Sequence, residues 1–200
     1  MSDASKFAAS LGHAVDKQDT ELLKAMSDDL FDHILSMEGD LEESIFQIIL
    51  EFMCRPDFQD LEGAWHLLFN FKTGWEDISD DQKQRLLPVL EETYPLYTHW
   101  MTCFTISGLL GEFYHDERAL LVLGRLAKID AEMPRSFVPH GLEHLINDSI
   151  SKDITHKALS LIYSMREDAS EKVRGEVEES LGRLARTDTG RKPPELEDYS

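Results

Sequence analysis

Basic residues are scarce in this chain. It carries 20 Lys and Arg against 39 Asp and Glu, a formal charge of −19. Between Ala25 and Phe71 the single basic residue is Arg55, against eleven acids, and Glu76, Asp77, Asp80 and Asp81 follow at once. Phosphate binding needs Lys and Arg to displace counterions, so the deficit argues against nucleic acid and anionic membrane as partners. Cysteine is scarce too. Cys54 and Cys103 sit in apolar runs and read as buried small hydrophobes in a reducing, cytoplasmic compartment. Residues 1–10 lack the basic patch and apolar run of a secretory leader, and no apolar stretch approaches the ~20 residues that cross a bilayer. A Gly-rich phosphate loop, a Gly-x-Ser-x-Gly elbow and a Cys-x-x-Cys pair are all missing, which leaves no cofactor and no catalytic residue to name.

Strand signals are also missing. No run alternates apolar and polar residues, and neither Asn-Gly nor Asp-Gly occurs as a hairpin turn. Helical periodicity is present almost everywhere: Leu41, Ile45, Ile48, Ile49, Phe52 and Met53 recur at helical spacing. The pattern predicts an all-α chain of about ten helices, near 4–16, 19–37, 41–54, 57–70, 80–92, 96–113, 116–129, 135–147, 152–166 and 170–186. Short breaks such as Glu38-Gly39-Asp40, Arg55-Pro56-Asp57 and Tyr94-Pro95 force successive helices to pack antiparallel. Asp40 and Ser170 are expected helix caps. The reading is one domain over 1–187 and a flexible tail over 188–200. Charge divides that domain: residues 1–114 carry −15 and residues 115–192 only −1.

Leu123-Gly124-Arg125-Leu126-Ala127-Lys128-Ile129-Asp130 recurs 58 residues later as Leu181-Gly182-Arg183-Leu184-Ala185-Arg186-Thr187-Asp188, a spacing of two helical hairpins. Lys172-Val173-Arg174 followed by Ser180-Leu181-Gly182-Arg183-Leu184-Ala185 resembles a helix of the HEAT-like (armadillo-type) repeat family, over about residues 98–187. Glu178 and Glu179 depart from that pattern, which has small apolar residues there. The resemblance implies an irregular α-solenoid that binds partners on a concave face, and it implies no reaction. DNA glycosylases built on such repeats have a strongly basic face, the reverse of this chain.

His140-Gly141-Leu142-Glu143-His144 matches the His-x-x-Glu-His zinc motif of the inverzincin peptidases. Histidines four apart share a helix face and could hold zinc, with Glu143 as general base. Only 56 residues follow His144, too few for the third ligand of that family, and Pro139 fits the first turn of a repeat helix. A zinc hydrolase is therefore the least favoured reading.

Aromatics stand inside the acidic stretch, as an interface needs for anchoring and steering. Trp65 and Phe69, at i and i+4, read as core, whereas Trp75 in a loop beside Gly74 is the better candidate for an exposed anchor, and Trp75 or Phe71 is the expected anchor of the interface. The expected partner-binding residues are Asp28, Asp29, Asp32, Glu38, Asp40, Glu42, Glu43, Asp57, Asp60, Glu62, Phe71 and Trp75. The expected partner is a basic protein, and the expected role that of a bacterial immunity or inhibitor protein neutralising a toxin. The alternative is a general helical-repeat adaptor or scaffold. Sequence leaves the oligomeric state open.

Overall fold

A computed structural model describes residues 3–36, 41–148 and 151–186, with the backbone alone at residues 3, 31 and 33–36. The expected anchor acids Glu38 and Asp40, the Asp40 cap and the 188–200 tail lie outside the described residues. The described residues contain eleven α-helices and no strand. They are α1 (Asp3–Lys17), α2 (Thr20–Ser36), α3 (Glu43–Met53), α4 (Pro56–Gln59), α5 (Ala64–Thr73), α6 (Asp80–Thr93), α7 (Trp100–Phe113), α8 (Glu117–Leu126), α9 (Glu132–Asp148), α10 (Lys152–Ser164) and α11 (Glu171–Arg186). Single 3₁₀ turns occur at Trp75–Asp77, Tyr94–Leu96 and Met165–Glu167. The chain forms two compact units, one ending at Ile106 and one beginning at Ser107.

In the N-terminal unit α1 packs on α2, α3 and α4, α2 on α5, and α3 on α6. Its core is built from Leu11, Val15, Leu23, Phe46, Ile49, Met53, Phe58, Leu67, Leu86 and Leu90. The turn between α1 and α2 runs through Gln18 at φ 53°, and its side-chain amide donates to the carbonyls of Val15 and Asp57, both at 3.1 Å. Those bonds offset the cost of a left-handed non-glycine residue. Asp19 then caps α2 by accepting from the Leu22 amide at 2.9 Å. The helix expected over 57–70 is broken into α4 and α5. Gly63 sits at the break because a Cβ there would stand 2.7 Å from Thr20 Cγ2 and 3.2 Å from its Cα. The close approach of α2 thus outweighs continuous helical propensity. Ser79 begins α6 with a capping box closed by Gln82.

In the C-terminal unit α9 packs against α8, α10 and α11, and its Val138, Leu142 and Leu145 are fully buried. Ser170 caps α11 as expected, accepting from the Val173 amide at 3.3 Å. Pro134 occupies the first turn of α9, so Pro139 lies inside the helix rather than at its start. Two arginines play equivalent parts. Arg135 Nη1 donates to the carbonyls six and five residues back, Ile129 at 2.5 Å and Asp130 at 3.0 Å. Arg174 Nη1 does the same to Asp168 at 2.7 Å and Ala169 at 3.0 Å. Arg135 also holds the Asp168 carboxylate at 3.0 Å; burial pushes that carboxyl up, but the bond from the Ser170 amide at 2.8 Å first, and Arg135 next, keep it below the usual range. The structural correspondence is thus 39 residues, α9 onto α11, with α8 packed on α10. The 58-residue recurrence instead links α8 to α11, which hold different positions in the packing.

Candidate protein-binding surface

Helices α2 and α5 meet in parallel register. Gly63 lies against Thr20, His66 feels the charges of Lys24, Asp28 and Glu21, and the Asn70 amide donates to the Ser27 carbonyl. The Ser27 hydroxyl in turn donates to the Leu23 carbonyl at 2.7 Å. Asn70 and Ser27 are both buried, so this polar pair fixes the register. The core stripe of α5 is Ala64, Leu67, Leu68 and Phe71. That stripe leaves Trp65 and Phe69 to the side. Phe69 is 46% exposed, with the half-buried Trp65 ring edge-on to it at 6.3 Å. Trp65 also stacks on His66 at 3.7 Å.

Phe69 lies three residues beyond His66, which feels the charges of Lys24 and Asp28. Along α2, Glu21, Asp28 and Asp32 share a face by helical spacing, and all three are exposed, as is Asp29. Lys24 reaches Asp28 only at 3.8 Å, with both side chains more than half exposed, so the pair contributes little. Burial first, and Lys24 second, press the His66 pKa below its ordinary value. The result is an exposed Phe69 ring with the half-buried Trp65 at its edge, on the helix that packs beside the acidic face of α2.

The remaining expected anchors divide differently. Trp75 is only 7% exposed, which corrects the expectation that it is an exposed anchor, and Phe71, the other expected anchor, is buried at 4%. Phe71 packs edge-on against Phe46 at 6.2 Å, and Trp75 lies beneath the Lys83 ammonium at 5.2 Å. The segment after Gly74 is a 3₁₀ turn that rolls Trp75 and Ile78 together into the core. Phe69, read as core, is the exposed one. The competing stripe at 64, 67, 68 and 71 was the signal that could have identified it.

Several acids are committed inside the fold. Glu43 takes both arms of Arg85 at 2.8 and 2.7 Å and accepts from Gln47 at 2.7 Å. The Arg85 bonds chiefly, and Gln47 next, hold its carboxyl down at about 2. Asp57 takes Arg55 Nε at 2.9 Å and Nη2 at 2.5 Å, which lowers its pKa. Asp60 accepts from the Thr98 hydroxyl at 3.2 Å, and its carbonyl contacts His99 Nε2 at 2.8 Å. Glu42 accepts from the Ser44 hydroxyl. Glu62 is exposed. Cys54 is exposed rather than buried, a second correction, and partial burial with Glu92 nearby raises its thiol pKa. Cys103 is buried as expected.

The His-Gly-Leu-Glu-His segment lies in α9. His140 and His144 meet edge-on at 4.6 Å between ring centres. Glu143 is held by Arg183 Nε at 2.7 Å, and its Oε2 stands 4.0 Å from His140 Nδ1. His144 Nδ1 lies 3.6 Å from Glu112 and 3.7 Å from Asp148. Burial, foremost, raises the Asp148 pKa, and Glu112 adds to it while His144 opposes. Among the described residues no three His, Cys, Asp or Glu side chains converge as a metal site. Among them, too, no helix is long and apolar enough to cross a membrane. Comparison with known proteins finds no family model, no curated protein and no solved structure that matches this chain.

Proposed function

We propose that this chain is a non-enzymatic protein-binding module whose N-terminal unit captures a basic protein on the α2–α5 surface. The exposed Phe69, with the half-buried Trp65 against it, on the helix packed beside the acids of α2 carries the reading. Aromatic rings give an interface its hot-spot area, and a single-sign rim steers an oppositely charged partner and speeds encounter. The most concrete version is an immunity protein: a nuclease-type toxin must be basic to hold its substrate, and an acidic lid over that site neutralises it. The 39-residue correspondence between α9 and α11 supports a repeat-like scaffold role for the C-terminal unit, in keeping with the HEAT-like resemblance.

The test is co-purification from the native cell followed by titration of the captured protein. Replacing Phe69 with Ala is expected to weaken binding about tenfold or more, and Asp28→Lys with Asp29→Lys and Asp32→Lys to slow association and flatten its salt dependence. Capture of a basic protein unchanged by both variants refutes the surface. Capture of a neutral or acidic partner refutes the electrostatic mechanism.

A further inference from the structure

A second apolar surface opens at the start of α7. Trp100 is 55% exposed and Phe104 38%, and they stand one helical turn apart on the same face. Leu96, in the 3₁₀ turn just upstream, is 53% exposed. Large apolar groups exposed at such spacing form a ridge of the kind that packs into the groove of a facing helix. Carboxylates stand near its start. Asp60 is tied to Thr98 and His99, immediately before Trp100, and Glu92, in the last turn of α6, acts on Cys54, which in turn acts on Tyr97. From Leu86 to Glu117 the chain has no Lys or Arg.

We infer that the Trp100–Phe104 ridge docks the apolar face of a Lys/Arg-rich amphipathic helix of a partner protein. Charge decides between occupants. A second copy of this chain would bring its own −15 half against the same surface, whereas a cationic helix would place Lys or Arg against Asp60 and Glu92 and its apolar side chains on Trp100. The inference rests on the basic-partner reading for the sign of the occupant, and extends it to a second surface.

The probe is a synthetic helix of about 18 residues with Leu on one face and Lys on the other, titrated against the full chain. Its counterpart with Glu in place of Lys is the control. Binding should shift Trp emission to the blue, and Trp100→Phe should abolish the shift while leaving affinity within about threefold, because a phenyl ring keeps the anchor. Trp100→Lys and Phe104→Lys should each weaken binding about tenfold or more, with far-UV circular dichroism unchanged. Should either Lys variant unfold, Phe104→Ser serves in its place, with the same loss expected. The paired reversal Asp28→Lys with Asp32→Lys should change affinity less than about threefold, since those acids belong to the α2–α5 surface.

Equal binding of the Leu/Glu and Leu/Lys peptides, or no binding of either, overturns the inference. So does a wild-type dimer in sedimentation that Trp100→Lys dissolves, because the occupant is then a second copy. Loss of peptide binding on reversal of Asp28 and Asp32, with none on Trp100→Lys or Phe104→Lys, overturns the ridge and leaves the α2–α5 reading standing. Loss of capture of the natural basic protein in Phe69→Ala, with peptide binding retained, supports both surfaces.

Discussion

Two glycine-to-alanine substitutions should move stability in opposite directions. At Gly111 in α7 an added Cβ would stand 1.8 Å from the Gly141 carbonyl oxygen, 2.7 Å from its carbon and 3.0 Å from His144 Cβ. The first two atoms are backbone of α9, so no rotamer change relieves the clash and the helices must part by well over an ångström. Overpacking costs about 1–3 kcal/mol where side chains can adjust, and more where they cannot. Alanine returns about 1 kcal/mol of helix propensity, leaving a net loss of about 2–4 kcal/mol for Gly111→Ala. At Gly175 in α11 nothing lies within 4 Å of the added methyl, so only the propensity gain of about 0.5–1 kcal/mol remains. With a urea slope of about 2 kcal/mol per molar, the midpoint should fall by about 1–2 M for Gly111→Ala and rise by about 0.3–0.5 M for Gly175→Ala. Far-UV circular dichroism is the readout, because Trp65, Trp75 and Trp100 all lie in the N-terminal unit. Equal shifts for both variants, or an unchanged midpoint for Gly111→Ala, would refute the close crossing.

Other predictions concern the N-terminal unit. Asn70→Ala should cost about 1–3 kcal/mol, since it leaves the buried Ser27 carbonyl without its side-chain donor; a urea midpoint within error of wild type refutes the clasp. Glu43 has a folded pKa of about 2, below its ordinary 4.5, so its stabilising contribution is fully present above pH 4.5 and is lost as pH falls through 2. Unfolding midpoints across that window should therefore fall less steeply in Glu43→Gln than in wild type, and added salt should shrink the difference because the pair is solvent-exposed. An aromatic disulfide reagent should label one thiol in the folded chain, Cys54, and slowly, because its raised pKa keeps it protonated; Cys103 should react only on unfolding. Two thiols reacting at once in the folded chain would contradict the burial of Cys103.

The helical class was legible because helix periodicity is local. Leu41 to Met53 and Glu117 to Leu126 show their apolar stripes without help from the rest of the chain. What sequence missed depended on which of two overlapping stripes the tertiary fold would use. On α5 both 65/69 and 64/67/68/71 are apolar, and packing against α2 selects the second. Trp75 failed for a related reason: a glycine ahead of an aromatic reads as an exposed loop, but a 3₁₀ turn carries the ring inward with Ile78. The 39-residue correspondence was illegible because it resides in what Arg135 and Arg174 bond, while Leu, Gly and Ala dominate simple matching. The acid excess itself was plain, and the division of labour within it was hidden.

That division decides how charge can be tested here. A reversal spanning Asp28 to Glu62 would include Glu43, whose oxygens hold Arg85, Gln47 and Gln82, and Asp57, which pins Arg55 at the start of α4. Lysine at either site would place like charges against each other and unsettle the fold, so lost binding would not report an interface. Asp28, Asp29, Asp32 and Glu62 are exposed, and the ion pair of Lys24 with Asp28 is long and solvated. Reversing these four should leave the urea midpoint within about 1 M of wild type, given surface effects of about 0.5 kcal/mol at each site and a slope of about 2 kcal/mol per molar. It should also weaken capture of a basic protein, most at low ionic strength, where a Debye length of about 10 Å or more lets the whole face act. A four-site reversal that folds normally and still binds with unchanged affinity and salt slope would show that the acid face of α2 is solvation alone, and that the aromatic pair on α5 has lost its reason to be an anchor.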